Sequence, residues 1–187
     1  MTYDASTDDA VTNDDGEEGG ETETLSTALP DDVEAAARDL LDAASDAEVT
    51  LATAESCTGG LLASILTDVE GKSSVFERAF VVYSPNAKCQ MLNLDEKMVE
   101  DCGTVSEEVA RALAEAAVDL SEAALAVGIT GFAGPAGDDD EEGLVHLAVA
   151  RKGRETAHRE MHYGSVGRGG VRIAAVRTAL EMMRAAI

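Results

Sequence analysis

Along residues 31–187, short apolar runs alternate with longer stretches of helical period. That alternation constrains the fold more than any other feature. Val49–Ala54 and Ala123–Ile129 carry no charged residue. Apolar strands without polar alternation belong to a sheet covered by helices. The first helix opens at Pro30-Asp31-Asp32, with acids in its first turn. Val33, Ala37, Leu40, Leu41 and Ala44 recur at helical spacing and form its apolar face. A strand is expected over 48–54 and a helix over 58–69. Phe76–Tyr83 reads as a strand, with Phe80, Val81 and Val82 as a buried run. Short helices follow over 85–92 and 95–101. Ser106-Glu107-Glu108 begins another helix with a cap and two first-turn acids. Leu144–Ala150 and residues 154–162 form a hairpin around Lys152-Gly153. A last helix runs over 167–186. The expected fold class is α/β, a single layered domain with a mixed β-sheet flanked by helices.

The chain has 187 residues, enough for one domain with a core of its own. Aromatics make up 3% of it, so Ala, Val, Leu, Ile and Met must build that core. Residues 1–28 are rich in Asp, Glu, Thr and Gly and read as an acidic disordered tail. Residues 29–187 are then the folded domain. Net charge is −23, and nine of the carboxylates fall in residues 1–24, so the remainder still carries −14. Such a chain repels nucleic acid and anionic membranes. It suits a high-salt medium that screens the repulsion. Cys57, Cys89 and Cys102 have no zinc-type spacing, which argues for a reducing compartment and against a metal site. No run approaches the roughly 18 apolar residues of a membrane span. No secretory leader opens the chain. The cytoplasm is the expected location.

The chemistry-bearing residues cluster in three places. Ala54-Glu55-Ser56-Cys57-Thr58-Gly59-Gly60 lies where the first strand gives way to a helix, a junction that turns free backbone N–H groups toward one point. Ser56 and Cys57 are both candidate nucleophiles there. The same turn also suits a plain connection in which Ser or Thr only caps the helix. It is not a Gly-x-Ser-x-Gly elbow, because Ala54 and Thr58 occupy the glycine positions. A Ser-His-Asp triad fits poorly, since His146, His158 and His162 all come late and His158 lies in a charged segment expected to be exposed. A lysine base is the alternative. Only four lysines exist, and Lys88 follows the second strand closely. The second place is Gly128-Ile129-Thr130-Gly131-Phe132-Ala133-Gly134-Pro135-Ala136-Gly137. It matches neither a P-loop nor a dinucleotide fingerprint, yet its glycines let a ligand approach the backbone. The third is Arg168-Gly-Gly-Val-Arg172, two cations four apart on one helix face near an N-terminus. They suit a phosphate or carboxylate ligand, or ion pairs with surface acids.

Four segments together resemble the CinA C-terminal domain family. They are Ala54–Gly60, Val82-Tyr83-Ser84-x-x-Ala87-Lys88, Gly103-Thr104-Val105-Ser106-Glu107 and Thr130-Gly131-x-Ala133-Gly134-Pro135. The resemblance covers about residues 31–187. Enzymatic members are nicotinamide-nucleotide amidohydrolases. The resemblance implies hydrolysis of nicotinamide mononucleotide (NMN) to nicotinate mononucleotide and ammonia, with no metal and no organic cofactor. It implies Ser56 as nucleophile, with Tyr83 and Lys88 activating it and shuttling its proton. Thr58, Gly59, Gly60, Thr130, Gly131, Ala133 and Gly134 would line the site, and Arg168 and Arg172 would bind phosphate. Larger members carry an extra N-terminal domain; this chain resembles the stand-alone form. The expected partners are a small nucleotide substrate and further copies of the chain, with neither nucleic acid nor membrane.

One departure stands out. Where the family continues with Lys-Pro-x-Gly, this chain has Asp138-Asp139-Asp140-Glu141-Glu142-Gly143. That acidic run favours two alternatives: a catalytically weak nucleotide-binding or regulatory module, or an amidohydrolase for another phosphorylated amide.

Overall fold

The structure, a computed structural model, describes residues 29–135, 137 and 140–187. The expected acidic tail, and residues 136, 138 and 139 of the Gly-rich and acidic loop, lie outside them. In chain order the elements are α1 (Asp31–Asp46), β1 (Leu51–Glu55), α2 (Leu61–Thr67), β2 (Phe76–Val81), α3 (Pro85–Leu92) and α4 (Glu96–Cys102). There follow α5 (Glu107–Asp119), β3 (Leu125–Gly131), β4 (Leu144–Arg151), β5 (Ala157–His162) and α6 (Gly167–Ala185).

The sheet has the order β2-β1-β3-β4-β5. β1 runs parallel to β2 and to β3, while β4 and β5 are antiparallel. The fold is therefore the α/β layered domain with a mixed sheet that the sequence implied.

Side-chain size divides the two faces. One carries Leu51, Leu125, Val127, Ile129, Val145, Leu147 and Val149, grouped with the apolar faces of α1, α2 and α6. The other carries Ala52, Ala54, Ala126, Ala148 and Ala150 under α5. Small residues there let α5 approach the strands closely. A Cβ at Gly128 would lie 2.4 Å from the Ala110 carbonyl oxygen and 2.6 Å from the Ala114 nitrogen. Close approach of a helix to a glycine- and alanine-surfaced sheet replaces the aromatic bulk the chain lacks.

β2 departs from its sequence reading. Phe80 is half-buried and Val81 is exposed; only Val82, just past the strand, is buried. β2 is the sheet's edge and pairs with β1 alone, so an apolar run there has no second neighbour to cover it.

The strand geometry also fixes where a site can form. β1, β2 and β3 are parallel, and their carboxyl ends emerge along one edge of the sheet. Such an edge is where ligands bind in open α/β sheets. Ser56 follows β1, Tyr83 follows β2 and Thr130 sits near the end of β3, so the Ser56 turn, Tyr83 and the Gly-rich loop meet there.

Candidate active site

Glu55 still pairs with Val81 and Ile129, so β1 extends one residue beyond its expected end. The Ser56 N–H donates to the Ile129 carbonyl at 3.0 Å, which fixes Ser56 against β3. Helix α2 begins only at Leu61 because Gly59 and Gly60 take left-handed backbones, φ 60° and 87°. That conformation is nearly free for glycine and strained for other residues.

On the neighbouring strand, Ser84 caps α3, accepting the Ala87 N–H at 3.1 Å, and Pro85 takes the first helical position. This starts α3 at once and places Lys88 in its first turns. Lys88 is 2% exposed, and its Nζ donates to Ser56 Oγ at 3.0 Å. Burial holds the Lys88 amine below its ordinary value, while Cys57 and Cys89 oppose that shift. A lysine with a lowered pKa, hydrogen-bonded to a serine, has the chemistry of a general base and its nucleophile. Cys57 is no rival. Burial pushes its thiol up to about 11, so it stays protonated near neutrality.

A cavity of about 240 Å³ opens over this pair. Ser56, Cys57, Lys88 and Tyr83 line it from the β1 and β2 side, Thr104 and Val105 from the approach to α5, residues 130–135 from β3, and Arg168 from α6. Thr130 Oγ1 donates to the Thr104 carbonyl at 2.6 Å and ties two walls together. Arg168 ties two others, donating to the Gly134 carbonyl and to the Tyr83 hydroxyl, both at 2.9 Å. It has no carboxylate partner among the described residues.

Not every expected site residue reaches the cavity. Thr58, Gly59, Gly60 and Arg172 do not line it. Arg172 instead donates to the Thr58 carbonyl through Nε (3.1 Å) and Nη2 (2.6 Å). The Gly60 N–H donates to Glu55 and the Gly59 N–H to the Ser56 carbonyl, so neither is free to meet a ligand. Among the described residues, the amides of Cys57 and Thr58 make no backbone hydrogen bond. Of the two residues, Cys57 lines the cavity, whereas Thr58 is fully buried behind it. Tyr83 is 64% exposed and its hydroxyl meets Arg168 rather than Ser56, placing it at the mouth of the cavity.

No histidine lines the cavity. His158 is not exposed as expected: its ring stacks on His146 with centroids 5.4 Å apart, since β4 and β5 pair beneath the start of α5. His162 explains part of the acidic loop. Its Nδ1 lies 2.7 Å from Glu141 and its Nε2 2.9 Å from Glu160. Those two hydrogen bonds raise its pKa, first through Glu141. Glu142 packs over Gly134, where a Cβ would come within 2.5 Å of its Oε1.

With the geometry in place, likeness to known proteins decides the lineage. The sequence profile of the CinA C-terminal domain matches residues 33–187. The chain belongs to the CinA C-terminal domain family. A CinA-like protein of Akkermansia muciniphila is 47% identical over 118 residues, 62% of this chain and 28% of that protein. One from Syntrophus aciditrophicus is 41% identical over 139 residues, 73% of this chain and 33% of that protein. The chain thus spans about a third or less of these relatives. Among solved structures, the competence/damage inducible protein of Agrobacterium tumefaciens superposes with a TM-score of 0.82 at 42% identity, covering 84% of this chain and 96% of that one. A CinA superfamily protein from Escherichia coli gives a TM-score of 0.78 at 32% identity, covering 84% and 93%.

Sequence reasoning passed over Glu55. Its signal was faint but present: one carboxylate closing an otherwise uncharged strand, directly before Ser56.

Proposed function

We propose that this CinA-family domain hydrolyses the carboxamide of NMN, releasing ammonia and nicotinate mononucleotide. One observation carries the reading: the buried Lys88 amine, 3.0 Å from Ser56 Oγ, beneath a cavity. Neutral Lys88 takes the Ser56 proton as Oγ attacks the carboxamide carbon. The oxyanion so formed is met by the backbone amide of Cys57, which lines the cavity beside Ser56. Collapse breaks the C–N bond, and Lys88 returns its proton to the departing nitrogen, giving ammonia and an ester on Ser56. Water, deprotonated by Lys88, then cleaves the ester and restores the serine. The balance is amide plus water to carboxylate and ammonium.

Arg168, exposed at the mouth and without an acid partner among the described residues, would receive the substrate's phosphate, with the Tyr83 hydroxyl beside it. Wild-type protein incubated with NMN should release ammonia and nicotinate mononucleotide in equal amounts. Arg168→Ala should raise KM about tenfold or more with kcat little changed, the pattern of a lost uniform binding contact. Nicotinamide riboside, lacking the phosphate, should match that loss in the wild type and lose nothing further in the variant. Equal kcat/KM for nucleotide and nucleoside in the wild type would remove Arg168 from the phosphate.

The second reading is a nucleotide-binding module without turnover, favoured by the acidic run at 138–142. Saturable NMN binding with no ammonia release would establish it in place of the enzyme.

The charge excess belongs to this proposal as a working condition. With −14 on residues 25–187, repulsion across the folded surface should yield to salt. The melting temperature is expected to rise by several degrees between 0.1 and 2 M KCl, outweighing the screening of exposed ion pairs, which contribute little each. A melting temperature highest at low salt would contradict it.

A further inference from the structure

We infer that Glu55 and Arg172 are positioning residues that grip the nucleophile turn from its two sides; the inference rests on Ser56 being the nucleophile. Glu55 is fully buried at the end of β1. Its Oε2 accepts the N–H groups of Gly60 and Leu62, each at 3.1 Å. Its Oε1 accepts the Ala63 N–H at 2.8 Å and the Thr53 hydroxyl at 3.2 Å. One side chain therefore binds the strand before Ser56 to the helix after it. Arg172 reaches the same turn from α6 and holds its middle at the Thr58 carbonyl with two donors. Ser56 and Cys57, which both line the cavity, lie between these grips. The turn cannot shift without breaking bonds to a buried carboxyl or to a forked guanidinium, whose geometry is directional.

The chemistry of the Glu55 site is one-sided. All four groups around the carboxyl are donors. An amide in its place must turn its own NH2 toward at least one backbone N–H, whichever way it flips. Glu55→Gln thus keeps the volume of the side chain and breaks part of the grip. Arg172 is half-buried at the surface of α6, so Arg172→Gln removes the second grip without opening the core.

The test reads Ser56 reactivity without assuming a substrate. The full chain is labelled with a fluorophosphonate, which bonds to Ser56 Oγ and expels fluoride, and the rate is followed by mass spectrometry. Folding is checked by circular dichroism. Small displacements of reacting groups cost on the order of 100-fold. The labelling rate should therefore fall about 10- to 100-fold in both variants, with Arg172→Lys recovering part of it. On NMN, kcat should fall while KM stays within about twofold, which a merely structural loss would not produce. If Glu55→Gln does not fold, the Arg172 pair decides. Folded variants labelling at the wild-type rate would overturn the inference. A wild type that labels at Ser56 but does not hydrolyse NMN would sink the substrate reading and leave the grip standing. A wild type unlabelled at Ser56 would overturn both.

Discussion

Replacing Lys88 with methionine is expected to lower kcat on NMN by about 10²–10⁴-fold, the usual contribution of a positioned general base. The same change is expected to raise stability. Lys88 is almost wholly buried beneath the cavity, and among the described residues its amine hydrogen-bonds to Ser56 Oγ. Placing such a group out of water costs about 1–3 kcal/mol relative to a well-packed apolar side chain of similar length. Methionine fills the same channel without that cost, and a gain of several degrees in Tm follows for a domain of this size. Loss of activity with gain of stability is the mark of a residue kept for function.

The sign of the pH dependence follows from the direction of the shift. The folded-state pKa of Lys88 lies below the ordinary lysine value of 10.5. At low pH the fold must hold a charged buried amine and is weakened. Stability therefore rises as pH passes upward through the folded pKa and levels off near the unfolded value. Activity should rise through the same folded pKa, because only the neutral amine accepts the Ser56 proton. Lys88→Met should flatten the stability slope and abolish the ascending limb of the rate profile. An ascending limb that survives in Lys88→Met would assign the base elsewhere.

Much of this was legible in the sequence, for identifiable reasons. Ser106 with two first-turn acids announced α5, and its side chain does cap that helix; the Ser84 cap of α3 shows only in the structure. Uncharged runs announced β1 and β3. Scarcity singled out Lys88, since so few lysines leave few candidates for a buried base. Order across the sheet was not legible. Phe80-Val81-Val82 reads like a central strand, and only pairing shows it to be an edge. Register likewise decides His158, which reads as exposed by its charged neighbours and is covered by stacking on His146. The glycines of the Ser56 turn, expected to line the site, do not reach the cavity. Their amides serve Glu55 and Ser56, and their left-handed backbones delay α2. Arg172 was expected to face a ligand from its spacing to Arg168. One helical turn carries it instead over the Thr58 carbonyl, a contact between residues 114 apart that no local pattern encodes.

Ser56→Ala carries the largest expected effect. Removing the nucleophile of a serine hydrolase leaves only binding and oxyanion stabilisation, and losses of roughly 10³–10⁶-fold in kcat are typical. The neighbouring thiol offers no rescue, because Cys57 is held protonated by burial near a pKa of about 11. Cys57→Ala should therefore keep most activity, and Ser56→Ala should show none above background even at raised pH. Circular dichroism of Ser56→Ala should match the wild type, since the hydroxyl is at the floor of an open cavity and its loss leaves no gap in the core. The decisive measurement is ammonia release from NMN in high salt by wild type and Ser56→Ala side by side, with nicotinate mononucleotide identified as the second product. Stoichiometric release by the wild type and its loss in the variant is the expected result. Release that continues undiminished in Ser56→Ala, or none from the folded wild type, would contradict a Ser56–Lys88 amidohydrolase.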